Sequence, residues 1–287
     1  MQAIIFALIS YFTWGTGAFI EAIVARRLNS YSLIFWGFIL SALILSFYAF
    51  FQTTSLNLLT PAILILNVIL GVFLIAGSIV YFEAYKVANR AVVGTIAQSF
   101  PAVVVILSLI FLGERVTFSQ AVSIIIIFVG MFLSAVDISE FRRKTFSINK
   151  GFLFAIIAMI CWGAYFAFIK IPVEKIGWFW PNYFSFLLFP LIFFYMRIMK
   201  IKLEKPTKNN AFFLIIISTV LVRVAEFSYN FAISKGLVVI VAPIAGANLT
   251  LFVLLAFLIF KDPIKKQQII GIITTLVGIV LLSAFSI

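Results

Sequence analysis

The chain contains no histidine, and its one cysteine, Cys161, stands inside an apolar stretch. That inventory builds neither a disulfide framework nor a Cys/His metal site. It also lacks the commonest proton shuttle near neutral pH, so proton-linked chemistry would fall to carboxylates. Charge is scarce as well: Asp, Glu, Lys and Arg make up 10% of the residues against 64% hydrophobic, and the mean hydropathy is +1.24. A soluble globule needs far more polar surface, which excludes catalysis in a soluble domain. No His-Glu-x-x-His metal motif and no Gly-x-Ser-x-Gly elbow occurs. The chain reads as a non-enzyme, with no cofactor and no metal expected.

Long apolar runs are abundant instead. A bilayer core of about 30 Å is crossed by roughly 20 apolar residues in a helix. Ten such runs can be drawn, near 3–25, 31–51, 61–85, 91–112, 117–137, 151–171, 178–197, 211–233, 238–260 and 267–286. Backbone groups in hydrocarbon must be satisfied within their own segment, so each run is expected to be helical. The first run is followed, not preceded, by basic residues, Arg26 and Arg27. That reverses the charge order of a secretory signal and marks a retained first span.

Displaced by 148 residues (162 minus 14), the chain matches itself without a gap. Phe6, Ala7, Ile9, Trp14 and Gly15 fall on Phe154, Ala155, Ile157, Trp162 and Gly163. Val72, Tyr81, Ala84, Val93 and Ala97 fall on Val220, Tyr229, Ala232, Val241 and Ala245, and Gln120 and Gly130 fall on Gln268 and Gly278. Each copy holds five spans, and an odd number leaves the second copy upside down. The expected fold class is an all-α integral membrane protein whose ten transmembrane helices form a 5+5 inverted repeat. Its parts are a first repeat over 1–137, a polar linker over 138–150 and a second repeat over 151–287. Carriers built this way hold their substrate near the midplane, between the repeats.

Lys and Arg residues decide the expected orientation. Of 21, sixteen fall in the loops after spans one, three, five, seven and nine, four lie on the opposite side, and Arg223 is inside a span. The positive-inside rule then places both termini outside, in a multi-pass protein of a prokaryotic inner or plasma membrane. Corresponding loops swap sides: the one near 52–60 has no basic residue, whereas its partner near 197–210 has five. A net charge of +12 would suggest nucleic acid in a soluble protein. Here it reads as topology signals facing anionic lipid, so the expected partners are the bilayer and a small-molecule substrate, with no nucleic acid. Both inverted halves lie on one chain, so a monomer can be complete. Small-residue spacings such as Ala242-x-x-x-Gly246 can pack helices within a subunit or in a homodimer.

Ionisable side chains deep in a span are the sharpest functional signal, since a charge at the bilayer centre costs about 2.5–3.5 kcal/mol even on insertion scales. Arg223 lies midway along span eight, with Glu226 at i+3 and Asn230 at i+7 on the same helical face. That face is expected to turn inward, for binding or coupling, or as a self-neutralising pair that only joins helices. The repeat equivalents Ile75, Ser78 and Phe82 are uncharged. Such divergence suits a site for an asymmetric solute. Trp14 and Trp162 occupy matching mid-span positions, although lipid-facing Trp prefers the interfaces. Trp14 shares a face with Glu21, and Trp162 with Tyr165. Aromatics beside a carboxylate can hold a cation or stack a flat solute, and can also be plain helix packing. Glu21, Glu83 and Lys170 stand toward span ends, from which side chains can snorkel.

Pro101, in the run Gln98-Ser99-Phe100-Pro101, cannot donate the backbone hydrogen bond of a continuous helix, so span four should kink and expose a carbonyl near Gln98. Span nine carries Pro243, Gly246 and Asn248, close to the position matching Pro101. Helices interrupted at corresponding places in two repeats point to a carrier's binding site.

Taken in order, the mid-helix Trp-Gly of each half, Tyr81-Phe82-Glu83-Ala84-Tyr85, Ser99-Phe100-Pro101 and Gly113-Glu114-Arg115 resemble the drug/metabolite transporter superfamily, with two EamA-like domains. The resemblance covers the whole chain. The second half matches more loosely, with Lys261-Asp262-Pro263 replacing Gly-Glu-Arg and Leu249 where Pro is expected. It implies a ten-helix basket with a central cavity lined by spans one, three, four, six, eight and nine, which would place Tyr81 on the wall, and it implies alternating access. Family members are generally drawn with cytoplasmic termini, the reverse of the charge count here. The expected function is a carrier of a small polar or zwitterionic, amino-acid-like metabolite. The rivals are an exporter of aromatic or cationic drug-like compounds and a lipid-headgroup flippase or accessory subunit.

Overall fold

The computed structural model describes residues 1–88, 90–135, 150–206, 211–261 and 263–286. Among these residues ten helical spans are long and apolar enough to cross a membrane, with mean hydropathies of 1.2 to 2.8. Span one is Gln2–Val24, span two Ser30–Ala49, span three Pro61–Val87, span five Phe118–Ala135, span eight Ala211–Lys235 and span ten Lys266–Ala284. The other four are interrupted. Span four runs Arg90–Gln98 then Phe100–Phe111, and span six Lys150–Phe168 then Lys170–Ile176. Span seven runs Trp180–Leu187 then Phe189–Ile198, and span nine Val238–Gly246 then Asn248–Phe260. Most of the expected linker, with Arg142, Arg143 and Lys144, lies outside the described residues, as do Lys208 and Asp262.

The interruptions follow proline chemistry. Pro101, Pro172 and Pro190 each stand two or three residues past a break, where the ring would clash with the carbonyl of residue i−4 in a continuous helix. The breaks in spans four and nine match the expectation. Those in spans six and seven, equally marked by proline in the sequence, were not expected. In span nine Pro243 sits inside the first half and the break falls at Ala247. There Ala247 N donates to Pro243 O at 3.2 Å and Thr250 N to Ala247 O at 2.9 Å, so the chain stays hydrogen-bonded through the break. Gly246 lies against the Pro101 ring, with no room for a Cβ. The two interrupted helices therefore cross at their breaks, one from each repeat.

The repeat is visible in its caps. Gln120 Oε1 accepts from Thr117 N at 2.9 Å, and Gln268 Oε1 from Lys265 N at 3.0 Å. Each amide also reaches across to the other repeat: Gln120 Nε2 donates to Phe285 O at 3.0 Å and Gln268 Nε2 to Ser134 O at 3.3 Å. The halves interlock rather than sit side by side. Span one packs along span eight, span three along span six, and spans five and ten along each other, the pairing that exchanging the two copies reproduces. Ser10 Oγ to Ala225 O at 2.7 Å satisfies a polar group between spans one and eight, and Tyr229 OH to Phe166 O at 2.9 Å one between spans eight and six. Apolar side chains such as Phe47, Phe132, Ile198 and Val280 cover the outer surface, as a hydrocarbon solvent requires.

Candidate functional site

Between the repeats lies a cavity of about 250 Å³ walled by spans one, two, three, four, six, eight and nine. Eight residues expected at a binding site line it: Trp14, Glu21, Tyr81, Gln98, Trp162, Arg223, Glu226 and Asn248. Two do not. Tyr165 is fully buried and donates its hydroxyl to Asn182 Oδ1 at 3.0 Å, and Asn230 Nδ2 donates to Trp178 O at 3.0 Å. Asn230 is two turns beyond Arg223, past the cavity's end, so sharing a helical face did not bring it to the wall. Span two, absent from the expected lining, adds Leu33, Ile34, Gly37 and Phe38.

Aromatic rings form one arc along the wall. Trp14 meets Phe166 edge-on at 5.3 Å, Phe166 stacks on Phe100 at 5.1 Å, Phe100 meets Trp162 at 6.1 Å, Trp162 meets Tyr81 at 5.1 Å and Tyr81 meets Phe82 at 5.6 Å. The two repeat-related tryptophans thus belong to a single surface. Phe82, Phe100 and Phe166 were not among the residues expected at a binding site. Trp162 is seated by its indole N–H on Leu74 O at 3.4 Å and by Gly77, whose missing Cβ leaves room for the ring. Asn248 begins the second half of span nine and donates to Ala245 O at 3.2 Å. The Tyr81 hydroxyl shares a hydrogen bond with that of Tyr85.

Three charges stand on this wall. Arg223 Nη1 lies 2.7 Å from Glu226 Oε2, and its guanidinium carbon stands 4.1 Å from the Phe186 ring centroid and 5.7 Å from that of Phe38. The short contact is not an aligned hydrogen bond, because Arg223 Nε and Nη1 and Glu226 Oε2 have no hydrogen-bond partner among the described residues. The third charge is Glu21. Among the described residues its carboxylate makes no hydrogen bond or ion pair, although it lies close enough to Arg223 and Glu226 to interact electrostatically. Two carboxylates therefore share one guanidinium, already turned to Glu226 and two phenylalanine rings.

The other two charged residues expected to snorkel are held inward. Glu83 Oε1 accepts from the hydroxyl of Tyr31, from Tyr195 OH at 2.8 Å and from Lys86 Nζ at 2.7 Å, joining spans two, three and seven. Lys170, 14% exposed, donates to Glu114 Oε1 at 2.8 Å. The cavity runs from the midplane toward the face that bears the Arg26, Lys86, Lys150 and Lys266 ends of the spans, with Leu33 and Ile34 near its mouth. On span nine the lining stops at Asn248, and the half of that span leading to the face that bears the termini, Val238–Gly246, is buried throughout.

Ten membrane-length helices in two interlocked, inverted copies around a central cavity define a membrane protein of the transporter type. The chain belongs to the EamA-like transporter family, whose model matches residues 1–136 and again 149–284. Members of that family are membrane transporters rather than enzymes. An uncharacterized protein of Methanocaldococcus jannaschii is 30% identical over 138 residues, a match covering 47% of this chain and 97% of the relative. That match has the length of one repeat. A solved crystal structure of another protein superposes with a TM-score of 0.83 at 16% identity, covering 99% of this chain and 97% of that one. At that identity the likeness concerns the fold alone.

Proposed function

We propose that the protein is a secondary or facilitative carrier that moves a small ammonium-bearing metabolite across the membrane by alternating access around this cavity. Glu21 carries the reading. It is a carboxylate without a direct partner among the described residues, on a cavity wall that continues into an aromatic arc from Trp14 to Phe82. Ring faces and a carboxylate together form the environment that attracts an organic cation. Ionisable residues inside a membrane span mark substrate or ion pathways. At about 250 Å³ the cavity is smaller than pockets that enclose drug-sized molecules, which favours a metabolite over a bulky drug.

Arg223 supports a second reading, an amino-acid-like zwitterion. Its guanidinium lines the same cavity and would receive a carboxylate if Glu226 turned to the substrate's ammonium. The two readings separate in one experiment. Ligands that bind only the folded state raise its thermal stability, so the purified protein is heated with primary amines, quaternary amines, amino acids and nucleosides. A stabilising amine that loses its effect in Glu21→Gln and keeps it in Arg223→Ala supports the cation carrier. An amino acid whose effect disappears in both variants, with its decarboxylated amine inert, supports the zwitterion carrier. Stabilisation by uncharged ligands alone, unaffected by either change, refutes both.

A further inference from the structure

Glu114 lies outside the cavity, in the short loop between spans four and five, and is only 7% exposed. Gly113 turns the chain there with φ +66°, a conformation open to glycine, and Glu114 N donates to Ser108 O at 3.3 Å. The carboxylate reaches from the first repeat to the second. Oε1 accepts from Val238 N at 2.9 Å and Oε2 from Val239 N at 2.8 Å, so a single side chain caps the first turn of span nine. Lys170, near the break of span six, donates to the same Oε1 at 2.8 Å and to Gly236 O at 3.2 Å, in the turn that joins spans eight and nine. Three donors from two elements of the second repeat converge on one buried carboxylate. A negative charge at a helix N-terminus is further favoured by the helix dipole.

The capped segment lies between the cavity and the face that bears the termini: Val238–Gly246 is buried throughout, and Asn248 on the cavity wall follows directly after its break. We propose that Glu114, held by Lys170 and the span nine amides, is a gating residue that bolts the translocation path shut on the face bearing the termini, and that its release lets this face open. The three bonds to the Glu114 carboxylate are non-covalent and join opposite repeats, so movement of one repeat against the other breaks all three together. The proposal rests on the carrier reading only in that both faces must open in turn.

Cysteine accessibility tests it without any ligand. With Cys161→Ser as background, Ala242→Cys reports on the capped segment as the stopper and Ser78→Cys on the open cavity, each by its rate of reaction with a polar maleimide on protein in nanodiscs. With Glu114 intact, the cavity position reacts and the stopper position is protected. In Glu114→Gln, which weakens hydrogen bonds to a charged group, the stopper position should react about tenfold faster or more while the cavity position slows. Should Glu114→Gln not fold, Lys170→Met, which leaves both backbone hydrogen bonds, carries the same test. A stopper that stays protected in both variants overturns the proposal. So does a parallel acceleration at both positions, since that is loosening rather than a change of face. A shift toward the termini face in a protein that no ammonium compound stabilises keeps the bolt and rejects only the substrate reading.

Discussion

Removing Arg223 should destabilise the protein far more than removing Glu226, although the two form one ion pair. Both side chains are nearly buried, 13% and 7% exposed, and their charged atoms lie 2.7 Å apart. Breaking a buried pair by deleting one partner typically costs about 3–5 kcal/mol, because the remaining charge is left uncompensated. The partners are not equivalent here. Deleting Glu226 leaves the guanidinium its stack on Phe186 at 4.1 Å and a second carboxylate, Glu21, on the same wall. Deleting Arg223 leaves two carboxylates facing one small cavity with no counter-charge on its wall. Arg223→Leu should therefore cost about 3–5 kcal/mol, and Glu226→Leu less, about 1–2 kcal/mol, since the charge it leaves keeps other partners. In thermal unfolding in detergent the first figure is a fall of roughly 6–20 °C. The double variant should recover most of what Arg223→Leu loses, since an apolar pair can replace a buried ionic one at little cost. Equal effects of the two single changes, or strict additivity in the double, would refute this account of the shared guanidinium.

Gly77→Ala places a Cβ 2.7 Å from Trp162 Cδ1, so the indole must leave its seat. The expected result is a loss of about 1–3 kcal/mol from overpacking, together with a shifted tryptophan emission spectrum; an unchanged spectrum would show that the ring is not held there. Gln120→Ala and Gln268→Ala each remove a cap and a bond to the opposite repeat. Each should cost about 1 kcal/mol, and because the two caps lie at opposite faces their effects on thermal stability should add; strong coupling between them would contradict independent capping.

Much of the fold was legible along the chain. Ten spans, the 148-residue displacement and the swap of basic loops needed no coordinates, and span ends were placed within a few residues. Pro101 announced its break, and the repeated Gln120 and Gln268 turned out to be the same cap used twice. The candidate site was legible where polarity or repeat symmetry marked it, as for Trp14 and Trp162, Arg223 and Glu226. It was not legible for Phe100 and Phe166, whose part in the site is seen only in the arc they complete.

What the sequence determined by itself is therefore what a bilayer enforces locally: segment length, helical conformation, the side on which charge collects, and the inversion that five crossings impose. Tertiary structure alone decided which face of each helix meets the cavity. It sent Tyr165 and Asn230 into packing, brought span two to the wall and joined Lys170 to Glu114 across the repeats. The physical reason is the solvent. Lipid tails are as apolar as leucine, so lipid-facing and protein-facing positions carry nearly the same side chains, and the hydrophobic pattern that orients a helix in water is muted in the membrane.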